Sequence, residues 1–177
     1  MPFYSGPTAP VAAILNTLKT GVQAEIDRLW TEFGDAATIK KPTPGSTFDL
    51  KTFYKHFHLS RSDYPHLMVY GDSGDMASGG GEEGDVSDWD HLVWVEGWVK
   101  GDHEEHMQEQ VGRIAWACIR CLANNSAVLD GTLAGLAMGF PRSYQLGQGT
   151  VKGANGQISI PLRGFRFPVK VRKVEAM

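Results

Sequence analysis

The hydrophobic positions of the first thirty or so residues repeat at a helical spacing. Val11, Ile14, Leu18, Val22, Ile26, Leu29 and Phe33 recur every three or four residues. That spacing lines them along one stripe and predicts an amphipathic helix over 8–34. Thr8 is placed to cap it, and Pro10 lies in the first turn, where a missing N–H costs nothing; Gly34-Asp35 closes it. A second stripe, Met107, Val111, Ile114, Cys118 and Leu122, has Trp116 and Ile119 to its side. Asp102 reads as its N-cap, Glu105 three residues on completes a capping box, and Asn124-Asn125 ends it.

Between and after these helices the period changes to two. His66–Tyr70 reads as a short strand and His91–Lys100 as a longer one. One face of the longer strand carries Val93, Val95, Gly97 and Val99, which suits close packing under a helix; the other carries Leu92, Trp94, Glu96 and Trp98. Both faces are largely apolar, so both need cover. Ala127–Thr132 reads as a strand entering a turn at Asp130-Gly131, and two more strands are expected over Gln157–Leu162 and Phe165–Val174. In the last of these Phe165, Phe167, Val169 and Val171 form a core face, while Pro168 marks an edge or a bulge. Phe48–Leu59 carries both helical spacing (Leu50, Phe53, Tyr54, Phe57) and strand-favouring aromatics, and is read as a short helix or irregular segment.

Two stretches have no periodicity. Residues 71–88 form a Gly-rich acidic run, expected to be a long mobile loop joining two strands. Residues 133–157 are Gly-rich and read as an insertion. The expected architecture is therefore a single α+β domain over residues 1–177. It has a mixed, mostly antiparallel sheet of about four strands, with two amphipathic helices packed on one face. The other face keeps Trp94 and Trp98 without an evident lid, which makes it a candidate interface unless the 133–157 segment or the N-terminal arm folds over them.

Charge sharpens that picture. The net charge is −3, which gives no general pull toward nucleic acid. Its distribution is uneven: from Asp72 to Glu109 there are 12 acidic side chains and one basic, whereas Arg142–Lys173 carries seven basic and none acidic. Such a pair of segments suits a contact between neighbouring copies, as it also suits two unrelated solvated surfaces. Arg166, Lys170 and Arg172 on the last strand join Trp94 and Trp98 as candidate subunit-interface residues.

The search for chemistry excludes more than it finds. His103-x-x-His106 and Cys118-x-x-Cys121 lie on one predicted helix about 22 Å apart at 1.5 Å per residue, too far for one zinc ion. The two cysteines, the only ones in the chain, read as buried structural residues. The Gly/Asp run has neither an EF-hand ligand order nor a phosphate-cradling Lys-Ser/Thr. No catalytic residue, metal ligand or cofactor is therefore expected. No apolar run approaches the ~20 residues that span a bilayer, and no signal-peptide pattern opens the chain. Folding in a reducing cytoplasm, with no membrane partner, is the expectation.

The order of elements carries a resemblance. A long N-terminal helix is followed by Asp63-Tyr64-Pro65-His66-Leu67-Met68-Val69-Tyr70, then by a Val/Trp strand ending in Gly101-Asp102. A helix over Glu104–Leu122 with Gln110-Val111-x-x-Ile114-Ala115 comes next, then Leu129-Asp130-Gly131 and a terminal Val169-Lys170-Val171-Arg172 strand. This order resembles the tail terminator proteins of long-tailed bacteriophages, over most of the chain but through no specific motif. The resemblance implies a virion protein assembled in the host cytoplasm. It would form a ring, usually of six copies, on the last ring of the tail tube, ending tube growth and joining the tail to the head. Its implied partners are itself, the tail tube protein and a head–tail connector, with DNA passing but not gripped. Asp72, Asp75, Glu82, Glu83 and Asp85 are then candidates to line a lumen or face the tube. Another ring of the same neck or tube is the nearest alternative; a small cytosolic enzyme or a non-viral interaction module stand further off.

Overall fold

The computed structural model describes residues 8–50, 52–54, 64–76, 86–101, 103–125, 136–139, 144–152 and 159–176. Helix α1 (Thr8–Phe33) is followed by strands β1 (Thr52–Tyr54), β2 (His66–Met76) and β3 (Val86–Lys100). Helix α2 (Glu104–Asn124) leads to β4 (Leu136–Gly139), β5 (Gln145–Lys152) and β6 (Ser159–Ala176). The expected α+β arrangement is the one adopted, with a mixed and mostly antiparallel sheet. Four long strands run in the order β2-β3-β6-β5; short β1 lies parallel beside β2, and short β4 shares the outer side of β6 with β5.

The two helices pack on one sheet face and seal the core there. Ile14, Leu18, Val22 and Ile26 of α1 and Val111, Ile114, Cys118 and Leu122 of α2 are buried with Leu67, Val69, Val93, Val95, Phe165, Phe167, Val169 and Val171. The alternation expected in β3 and β6 is thus realised, one residue in two facing the helices. Gly97 leaves room for a neighbouring strand's ring and not for a helix: a Cβ there would stand 2.4 Å from Cε1 of Phe165 and 2.7 Å from Cδ2 of Leu67. Gly21 answers to a similar constraint between helices, since its Cβ would lie 2.8 Å from Sγ of Cys121.

Several expectations are corrected. Of the loop expected over 71–88, residues 71–76 and 86–88 are strand instead, since β2 and β3 pair as far as Met76↔Trp89 with a register shift between Gly71 and Ser73; residues 77–85 lie outside the described residues. Gly and Asp weaken strands locally, but a long partner strand supplies the ladder they need. Thr52–Tyr54 is a strand, not helix or irregular chain; the aromatic cue outweighed the helical spacing there. The 133–157 segment, read as an insertion, contributes β4 and β5. The last two expected strands are one, running unbroken through Gly164 because β3 pairs it from Leu162 to Ala176. Pro168 sits where β5 has stopped at Arg166 and β4 has not yet begun at Lys170, a local edge among the described residues. Helix α2 starts at Glu104 with His103 as its N-cap and no side-chain cap bond; Asp102, like the expected strand at 127–132, lies outside the described residues.

Phe33 was placed with the core stripe and instead is 57% exposed. Trp30 takes the buried position at that end of α1, and its indole N–H donates to the Ile39 carbonyl at 2.6 Å. Beside it Arg113, only 6% exposed, makes two bonds to Asp35 at 2.5 and 2.6 Å and lies 4.2 Å from the Phe33 ring centre. The paired hydrogen bonds from Arg113 hold the Asp35 carboxyl below its ordinary range, outweighing what burial does to raise it. This tie fixes the loop after α1 to α2.

The cysteines are buried and unlinked. Desolvation pushes both thiols up, Cys118 strongly and Cys121 to about 11, where the Glu25 charge adds to the effect. Neither is then a thiolate near neutral pH. In the folded protein at pH 8 both are expected to resist a thiol-reactive disulfide reagent, and both to react at once in denaturant. Rapid labelling of one thiol per chain without denaturant would contradict their burial.

Candidate interface on the open sheet face

The face of the sheet opposite the helices carries, row by row, His66–Trp98–Gly164–Gly147, Met68–Glu96–Arg166–Gln145, and Tyr70–Trp94–Pro168. Its two ends differ. Toward β1, His66 and Met68 are fully buried, with the Tyr64 ring 5.0 Å from that of His66. Toward β6, the strip formed by Tyr70, Leu92, Trp94 and Pro168 is only half-buried, and Arg166 and Lys170 beside it are exposed.

Trp98 and Trp94 are held differently. The Trp98 indole lies across a shelf of glycines on β6 and β5: a Cβ at Gly164 would stand 2.5 Å from its Cδ2, and one at Gly147 3.3 Å from its Cη2. Gly164 above all, and Gly147 beside it, clear the space one aromatic ring fills, while a Cβ at Gly149, 3.6 Å away, would only touch it. The indole N–H donates to Glu96, whose other carboxylate oxygen accepts from the Tyr70 hydroxyl at 2.9 Å. Glu96 is thereby satisfied although buried, as a carboxylate in that position must be. Trp94 has the Arg166 guanidinium stacked over it at 5.1 Å, with Arg166 also donating to Gln145 Oε1 at 2.9 Å. Beside these, a shallow depression of about 250 Å³ at the β5 edge is lined by Glu96, Trp98, Gln145, Gly147 and Arg166 together with Leu146, Gly164 and Phe165.

Of the residues singled out by sequence, the structure gathers Trp94, Trp98, Arg166 and Lys170 on this face. Arg172 stands on β6 in register with Asp90, Asp72 marks the β2 bulge, and Asp75 lies opposite Asp90. Glu82, Glu83 and Asp85 lie outside the described residues. The separation of charge along the sequence does not become two separate surfaces, because β3 and β6 are neighbours. Glu96 and Arg166 are register partners across the ladder, as are the backbones of Asp90 and Arg172, and Arg163 pairs with Glu104.

Sequence reasoning missed a second apolar surface. Phe33, Trp116 and Leu146, exposed by 57, 44 and 51%, all line one groove with Tyr144, Glu109 and Arg113. The signal was present: Trp116 falls off the buried stripe of α2. Its partners come from the end of α1 and from β5, which no local pattern connects to it.

Among the described residues no group of three or more His, Cys, Asp or Glu is placed to hold a metal ion, and no helix is long and apolar enough to cross a membrane. No protein-family model matches the chain, and no curated protein matches it.

Proposed function

We propose that this chain is a structural protein of a long-tailed bacteriophage, a tail terminator that closes into a ring at the head-proximal end of the tail tube. In this reading it catalyses nothing. It ends tube polymerisation, presents a surface to a head–tail connector, and lets DNA pass without binding it. The observation that carries the reading is the half-buried, largely aromatic strip of Tyr70, Leu92, Trp94 and Pro168 on the sheet face that neither helix covers. Aromatic surface of this kind is typical of contacts between chains. The reading also draws on the resemblance in element order, of which the long helix, two antiparallel strands, second helix and long terminal strand are present. Fold order alone does not fix function, and a different ring of the same neck or tube would use the same strip.

Electron micrographs of the purified protein, alone and mixed with tail tubes, test this. The expected result is annular particles or tubes capped at one end and no longer growing. Tubes that elongate as before, with the protein left unbound, would overturn it.

A further inference from the structure

Strand β5 is a sheet edge that lies beside a helix. Among the described residues it pairs with β6 alone, and Gln145, Leu146, Gln148 and Thr150 are exposed along it. From Gln145 to Val151 there is neither a charged side chain nor a proline, the residues that usually keep a foreign strand from adding to such an edge. The backbone groups on its outer side form a template for one kind of partner, an extended chain.

Two rows of side chains run along this edge in step. On α2, Glu104, Gln108, Gly112 and Trp116 recur every four residues, ~6 Å apart along the axis. On the chain entering β5, Tyr144, Leu146 and Gln148 recur every two, ~6.8 Å apart. The rows meet in antiparallel order. Tyr144 stands at Trp116, the rings edge-on at 6.1 Å, and a Cβ on Gly112 would stand 2.8 Å from its hydroxyl oxygen. Leu146 comes next, beside Gln108, and then Gln148 toward Glu104. Two hollows of about 310 and 370 Å³ lie along the rows and share Gln108 and Leu146, so they form one trough. Its first stretch is walled by Phe33, Trp116, Tyr144 and Leu146; Gln108 and Gln148 make the second polar.

We propose that this trough binds an extended, uncharged segment of another protein, which adds to the sheet beside β5 and turns every second side chain into the trough. The edge supplies main-chain hydrogen bonds, and the trough reads alternate residues. One of these is apolar or aromatic, for the stretch at Trp116 and Leu146. The next carries a neutral amide or hydroxyl, for Gln108 and Gln148. No charge is called for, since the lining ions pair off: Glu109 lies 3.7 Å from Arg113, and Glu104 binds Arg163. The β5 strand of a second copy fits less well, because its own Tyr144 and Leu146 are already turned toward its own α2. The proposal goes beyond the ring reading and holds whether or not the ring closes.

The probe is the peptide Thr-Gln-Thr-Trp-Thr-Gln-Thr, capped at both ends, whose second, fourth and sixth side chains share one face when extended. Added to the full chain at up to about 1 mM and followed by NMR, it should bind and slow the exchange of every second amide between Gln145 and Lys152. N-methylating one alternate set of peptide amides should abolish binding, and methylating the other set should leave it intact. Replacing the central Trp of the peptide by Thr, or Trp116→Ala in the protein, should weaken binding about tenfold. Trp116 is exposed, and thermal unfolding checks that the variant is folded. A Trp peptide that does not bind, binding indifferent to both methylations, or protection confined to α2 would each overturn the proposal. Alternate β5 amides that become protected in the protein alone as its concentration rises would place a second copy on the edge, and would overturn it too.

Discussion

Replacing Phe167 by Ala is expected to destabilise the fold more than any change on the open face. Phe167 is completely buried at the middle of β6, opposite Val95, and its ring is stacked at 6.0 Å on that of Phe165. Truncating a buried Phe to Ala removes its transfer free energy and leaves a cavity that rigid neighbours fill only in part, a loss of about 3–5 kcal/mol. Here β6 is tied to three strands and the helices press on it from one side, so collapse around the void is restricted. The drop should appear as a lower urea midpoint with the slope of the transition little changed. A loss below about 1 kcal/mol would mean that the core does not close over this side chain as described.

The second large effect is expected from adding atoms. Gly164→Val places branched carbons where Trp98 lies, its Cβ already 2.5 Å from the indole. An indole is rigid and this one is held at its N–H by Glu96, so it must leave the shelf as a unit. Overpacking of this kind costs typically 1–3 kcal/mol, and about 3 kcal/mol is expected here, because the Glu96 carboxylate loses a donor while still largely buried. A double-mutant cycle with Trp98→Ala identifies the cause: with the ring gone, the valine should cost at least 1 kcal/mol less than it does in the wild type. Strict additivity of the two changes would show that Gly164 is required for some other reason.

Much of the fold could be read from the chain because its strongest signals are periodic. The two helical stripes, the alternation of Val93, Val95 and Val99, and that of Phe165, Phe167, Val169 and Val171 each settle on the faces their spacing demands. What was not legible depends on pairing. Gly71–Met76 and Gln145–Lys152 have weak strand propensity, and become strands because a long neighbour offers an unpaired ladder. A glycine such as Gly164 looks like a turn until the ring that needs its empty side is known.

The candidate interface divides in the same way. Alternation placed Trp94 and Trp98 on the face away from the helices, but only the folded sheet separates them, one laid into a glycine shelf and one left on a half-open strip. The charge runs behave in a related way: acidic and basic stretches distant in sequence lie on adjacent strands in space. The groove at Phe33, Trp116 and Leu146 gathers three elements, and its one linear cue is Trp116 standing off the buried stripe of α2.

The most direct measurement is a cryo-electron microscopy map of the protein on the end of a tail tube, at a resolution that traces the strands. The account predicts a closed ring in which the strip containing Trp94 of each copy lies at a subunit boundary. A ring whose boundaries leave that strip facing solvent, or tube ends on which the protein forms no ring, would contradict it.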